Sequence, residues 1–179
     1  VPDAIPGLRL TPAQQDVLAG IDDVALCETT RDFLGGTSFR QDYWVRTPVP
    51  LDATARVDAW RAERVVLVTD PADLPDRVTG PGGDVRLDES CCRQVVARLA
   101  DQEARSVAEL AEGLPLAGVT DAVFRLAALG HASTAVPAEA ARAARPRTAA
   151  LNRQLGSLSD PAGPGVLASP VTGGGVPVD

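Results

Sequence analysis

Lysine and methionine are absent from the 179 residues, histidine occurs once and cysteine three times. Each shortage removes a chemistry. A nucleophilic cysteine needs a base, but His131, the one histidine, falls just past an expected helix end, and Cys91 and Cys92 fall in an expected amphipathic helix, where cysteine behaves as a small hydrophobe. Three thiols cannot form a complete disulfide set, and the neighbours Cys91 and Cys92 could bridge only under strain, which points to a reducing, cytoplasmic setting. No C-x-x-C or H-x-x-x-H spacing is present, so a structural zinc is not expected. Neither "GPGG" at 80–83 nor "GGG" at 173–175 has the preceding strand, following helix and lysine of a phosphate loop. Aromatic residues make up 3% of the chain, and no run reaches the roughly 18 apolar residues of a membrane span.

What is present is an ordinary soluble balance, with 45% hydrophobic and 23% charged residues. All 17 basic residues are arginine, as a GC-rich bacterial coding sequence favours. The net charge of −7 opposes the phosphate attraction on which nucleic-acid binding rests. The first residues, "VPDAIPGLRL", lack a signal peptide's basic region and apolar core, and with no Met the expectation is a fragment or processed piece.

The fold class expected is α+β: a helical lead-in, a small antiparallel sheet layer, a winged-helix-like three-helix bundle and a Gly/Pro-rich tail. Thr11 and Pro12 start a helix over 12–20, and Asp22 or Asp23 caps a second, whose stripe of Val24, Cys27 and Leu34, beside Leu26 and Phe33, ends at Gly35 and Gly36. The alternation in "FRQDYWVR" predicts a strand over 39–46. A helix capped by Asp52 is expected to bury Val57 and Trp60. "RVVLV" reads as a strand, with "DVRL" pairing back onto it. "DPADLPDRVTGPGGD" reads as loop. Residues 1–87 thus form the lead-in and β layer.

Residues 88–155 carry the winged-helix-like part. Asp88 precedes an amphipathic helix with Cys92, Val95, Val96 and Leu99 on one face. Ser106 and Glu109 form a capping box for a short helix. Thr120 is expected to cap a third helix with Val123, Phe124 and Ala127 inward, ending at Gly130, before a strand in "HASTAV". A helical run after Pro137 is expected to break at Pro146. Residues 156–179 read as a linker or tail.

Chemistry by residue type alone yields no catalytic, cofactor or metal site. Paired carboxylates such as Asp22 and Asp23 stand at helix caps. A DNA reading rests on the winged-helix order and on Arg142, Arg145, Arg147 and Arg153, which lie in a window free of acids; the would-be recognition segment "VTDAVFRLAALG" has a single Arg. The densest stretch is "DFLGGTSFRQDYWVR", where Arg40, Trp44 and Arg46 form the candidate interaction surface and the two arginines are expected to pair with Asp32 or Asp42.

That stretch resembles the opening block of the methyltransferase regulatory domain family, through Asp32, Phe33, Leu34, Phe39, Arg40, Gln41 and Arg46. It departs where Thr37 replaces the family's frequent Arg and where Gly35 and Gly36 replace bulkier polar residues. A weaker likeness covers Arg145, Pro146, Arg147 and Arg153. The resemblance implies an accessory domain that follows a class I S-adenosylmethionine-dependent methyltransferase domain, some relatives being similar to bacterial protein-lysine methyltransferases that act on outer-membrane proteins. It implies a piece beside that catalytic domain and its substrate that regulates it, recognises substrate or holds a homodimer, with no cofactor bound by this chain and S-adenosylmethionine used by the parent enzyme. The alternatives are a winged-helix transcriptional regulator and a structural dimerisation module.

Overall fold

A computed structural model describes residues 5, 8–37, 46–47, 49–158 and 165–177. The protein is α+β, as expected, with helices and small antiparallel sheets. Thr11 opens α1 (Pro12–Ala19) through a full capping box with Gln14, and Asp23 caps α2 (Val24–Leu34) by accepting from the Leu26 N–H. Gly35 closes α2, and Gly36 turns the chain at φ +61, a left-handed conformation that suits glycine. The strand predicted over 39–46 falls almost wholly outside the described residues.

Asp52 caps α3 (Ala53–Ala62), which leads into β1 (Arg64–Leu67). "DVRL" does not pair with β1. Instead β3 (Gly83–Arg86) folds on β2 (Arg77–Gly80) through the two-residue turn Pro81-Gly82, so part of the segment read as loop is strand. The period-two pattern of Arg77 to Gly80 is short and polar, which hid it. β1 pairs antiparallel on one side with β4 (Arg105–Ser106) and on the other with β5 (Ala132–Thr134), giving the order β4-β1-β5. The lead-in and the helical part therefore share one sheet.

Three helices cover that sheet: α4 (Ser90–Leu99), the short α5 (Val107–Leu110) and α6 (Leu116–Ala128). Ser106 and Glu109 make the predicted capping box. Two starts differ from expectation. Glu89, not Asp88, precedes α4, and α6 begins after Pro115, four residues before Thr120, whose hydroxyl donates to the Ala117 carbonyl inside the helix. The extra turn buries Val119, and the core gathers Val65, Leu67, Cys92, Val95, Leu99, Val107, Leu110, Val119, Val123, Leu126 and Ala132. α4 and α6 approach closely where Gly118 lies: a Cβ there would stand 3.0 Å from Cys91 Sγ.

Beyond β5, α7 (Ala138–Leu158) runs through Pro146 rather than breaking there. Proline forfeits one backbone N–H, but alanines on both sides favour the helix, whose less exposed side carries Ala141, Thr148 and Asn152. The expected tail is folded over residues 165–177, where β6 (Val166–Ala168) and β7 (Gly175–Pro177) form a hairpin. Asn152 holds it as a second backbone would: its amide donates to the Ala168 carbonyl and accepts from the Ala168 N–H, both at 2.9 Å. The Val136 N–H donates to Val171 O at 2.8 Å from the other side. Ser169 Oγ, accepting from the Val171 and Thr172 N–H groups, shapes the turn, so glycines that suggested a linker serve a hairpin.

Candidate interaction surfaces

The α1–α2 pair is built on a narrow inner contact. Leu10 and Leu18 are buried, Cys27 Sγ lies 3.7 Å from Leu18 O, the Gln14 side-chain amide reaches Leu34 O, and Arg9 donates to Gly35 O. This turns Cys27, Arg31 and Leu34 inward on α2. The opposite face then carries Leu26 and Phe33, two turns apart, exposed by 55% and 87%. α1 and α2 pack chiefly on each other. Their spacing was legible, but Leu26 and Phe33 were assigned to the same stripe as Cys27 and Leu34, and the structure separates them.

A second apolar face lies on α3. Val57 and Trp60, predicted to be buried, are 41% and 39% exposed, because α3 uses little of its surface against α5 and the sheet. Leu51, Ala59, Trp60 and Thr134 line a shallow groove of about 330 Å³ flanked by Arg56 and Glu63. The third feature is a cleft of about 370 Å³ between the β2–β3 hairpin and α6, lined by Val85, Arg86, Glu89, Asp121, Phe124 and Arg125 among others. Phe124, predicted to be inward, is 43% exposed there. Arg125, the only basic residue of α6, is engaged by Asp121 at 2.9 Å and Glu89 at 3.4 Å and donates to Arg86 O. The exposed side of α6 is therefore neutral to acidic.

Of the predicted surface, Arg40 and Trp44 lie outside the described residues and Arg46 is exposed. Cys91 and Cys92 are in α4, and His131 sits past α6 with Nδ1 3.1 Å from Thr69 Oγ1. Burial pushes the Cys92 thiol up to about 11 and lowers the His131 pKa, so neither is prepared to ionise near neutral pH. The shifted carboxyls lie at the surface: hydrogen bonding from Arg105 holds Asp101 well below the usual carboxylate range, and hydrogen bonding from the Ser106 N–H lowers the pKa of Glu109. Among the described residues no group of His, Cys, Asp or Glu is placed to hold a metal ion. No helix among them is long and apolar enough to cross a membrane.

The resemblance implies S-adenosylmethionine for the parent enzyme. Its usual cradle is a strand, a Gly-rich turn and a helix N-terminus. Here both Gly-rich stretches are hairpin turns, between β2 and β3 and between β6 and β7. Among the described residues they do not fit that group.

Residues 1–46 match the family described as a predicted methyltransferase regulatory domain, so the resemblance read from the sequence is borne out over that segment. A protein of Synechocystis sp. (strain ATCC 27184 / PCC 6803 / Kazusa), described as uncharacterized protein sll1526, is 26% identical over 185 residues, covering 99% of this chain. The chain spans 36% of that relative's length. No solved structure matches.

Proposed function

We propose that this chain is the non-catalytic regulatory or substrate-recognition portion of an S-adenosylmethionine-dependent methyltransferase, and that its family-matching α1–α2 pair docks on the catalytic domain. The exposed Leu26–Phe33 face carries this reading. It lies within the segment that matches the regulatory family, and burying a side chain of that kind contributes about 1.5–3 kcal/mol. The cofactor belongs to the partner domain in this reading, and the chain's part is to bind and position.

The order α4-β4-α5-α6-β5, with β1 between the two other strands, supports a winged-helix-like scaffold whose third strand comes from the N-terminal side. The transcriptional-regulator alternative is weakened by the state of α6, whose one arginine is already paired with carboxylates. A scaffold without its usual function is common, since function lies in the site. A homodimer built on the α3 groove is the remaining structural alternative, motivated by Trp60 and Val57, and a monomer in light scattering would remove it.

Calorimetric titration of the chain with S-adenosylmethionine tests the division of labour. The proposal expects no binding heat, whereas saturable binding at micromolar concentration would place the catalytic function in this chain and overturn it.

A further inference from the structure

We infer that the solvent face of α7 is a docking surface for a carboxylate-rich protein segment. Residues 140–159 hold four of the 17 arginines and none of the 24 acidic residues, in a chain of net charge −7. At helical pitch Arg142 and Arg153 share one outward-facing line, about 16 Å apart at ~1.5 Å per residue, with Arg145 about 60–80° to one side of it and Arg147 about 120–140° to the other. All four are exposed. Arg86, Arg105 and Arg125 each have an Asp beside them. None of these four has such a partner among the described residues.

The β6–β7 hairpin is held to α7 through Asn152, and Ala141 is buried, so packing does not require the arginines. Apart from these arginines the helix carries one charged side chain, Glu139 in its first turn, so gathering four guanidinium groups on it costs repulsion, and a facing set of carboxylates relieves it through charge-assisted pairs.

A protein segment fits better than a nucleic acid. Between the arginines the outward positions are Ala143, Pro146, Ala149 and Ala150, which offer flat apolar contact and no further donors to phosphate. Duplex affinity also grows with the number of phosphates neutralised, and a duplex longer than α7 meets the acidic remainder of the chain. A face three helical turns long suits a compact acidic segment instead. This inference rests on α7 alone and is independent of where the methyl transfer occurs.

The test is fluorescence anisotropy at low salt with a labelled oligo-glutamate peptide of about 15 residues and, separately, a hairpin duplex of about 9 base pairs, which at ~3.4 Å per base pair is as long as α7. The expected result is saturable peptide binding, tighter than duplex binding, and weakened about tenfold or more in the triple variant Arg142→Gln, Arg145→Gln, Arg153→Gln, a loss set by removing three charge-assisted pairs. The corresponding triple lysine variant, which keeps the charge, retains most of the affinity and guards against a folding artefact, as does an unchanged thermal melt. Absence of peptide binding, tighter duplex binding, an unaffected glutamine variant, or a salt-sensitive self-association abolished by that variant each overturns the inference.

Discussion

Cys92 shows how burial sets chemistry at single residues. Its thiol is packed among Val95, Leu99 and Val123 in the core, and desolvation raises its pKa from 9.0 to about 11. The folded state thus favours the protonated form. The associated stability is fully present below pH 9.0 and is lost as pH rises through about 11. In a thiol-labelling assay at pH 8, Cys92 should react only after denaturant is added, while the partly exposed Cys27 and Cys91 react in the native protein. Native labelling of all three thiols would show that α4 does not pack as described. The sequence announced Cys92 as a small apolar core residue by its spacing with Val95, Val96 and Leu99, so this site was legible. The environments of Phe124, Val57 and Trp60 were not: periodicity identifies a candidate stripe, but whether another element covers it depends on tertiary neighbours.

Among the elements, the C-terminal hairpin depends on one side chain. Asn152 makes both hydrogen bonds that another strand would make to Ala168, so Asn152→Ala leaves a partly buried donor and acceptor without partners. The expected cost is about 1–3 kcal/mol for the hairpin's docking, with earlier proteolytic cleavage in residues 165–177 and little change in the melting of the α4–α6 core. Equal protease resistance in the variant would mean the hairpin is held by other contacts. Capping motifs made α1, α2, α3 and α5 readable, because Thr11, Asp23, Asp52 and Ser106 act through bonds three residues away. The hairpin was not readable. Its glycines and prolines signal a turn without stating which helix receives it, and the residue that does so, Asn152, looked like one more polar position on α7. Likewise, the strand preference of Arg64 to Leu67 was plain, but its partners lie some 40 and 70 residues onward, beyond any local signal.

Across the whole molecule, a sheet completed from both halves of the chain supports a helical core, and the surfaces left over differ in character. α2 and α3 expose large apolar side chains, α6 presents a neutralised arginine, and α7 gathers arginines with no ion-pair partner among the described residues. No described surface combines a perturbed nucleophile, a base and a cofactor cradle. Such a distribution suits a molecule that binds other domains. Residues 1–46 match a predicted methyltransferase regulatory domain, and the central claim is that this segment docks through Leu26 and Phe33. The direct measurement is a calorimetric or surface-based titration of this chain against the methyltransferase domain proposed as its partner, with wild type compared to the double variant Leu26→Asp, Phe33→Asp. Both side chains are exposed, so the variant should keep its circular dichroism and melting temperature while affinity falls at least about tenfold, a loss of about 1.4 kcal/mol or more. Undiminished affinity in a folded variant, or no association of the wild type, would contradict the account.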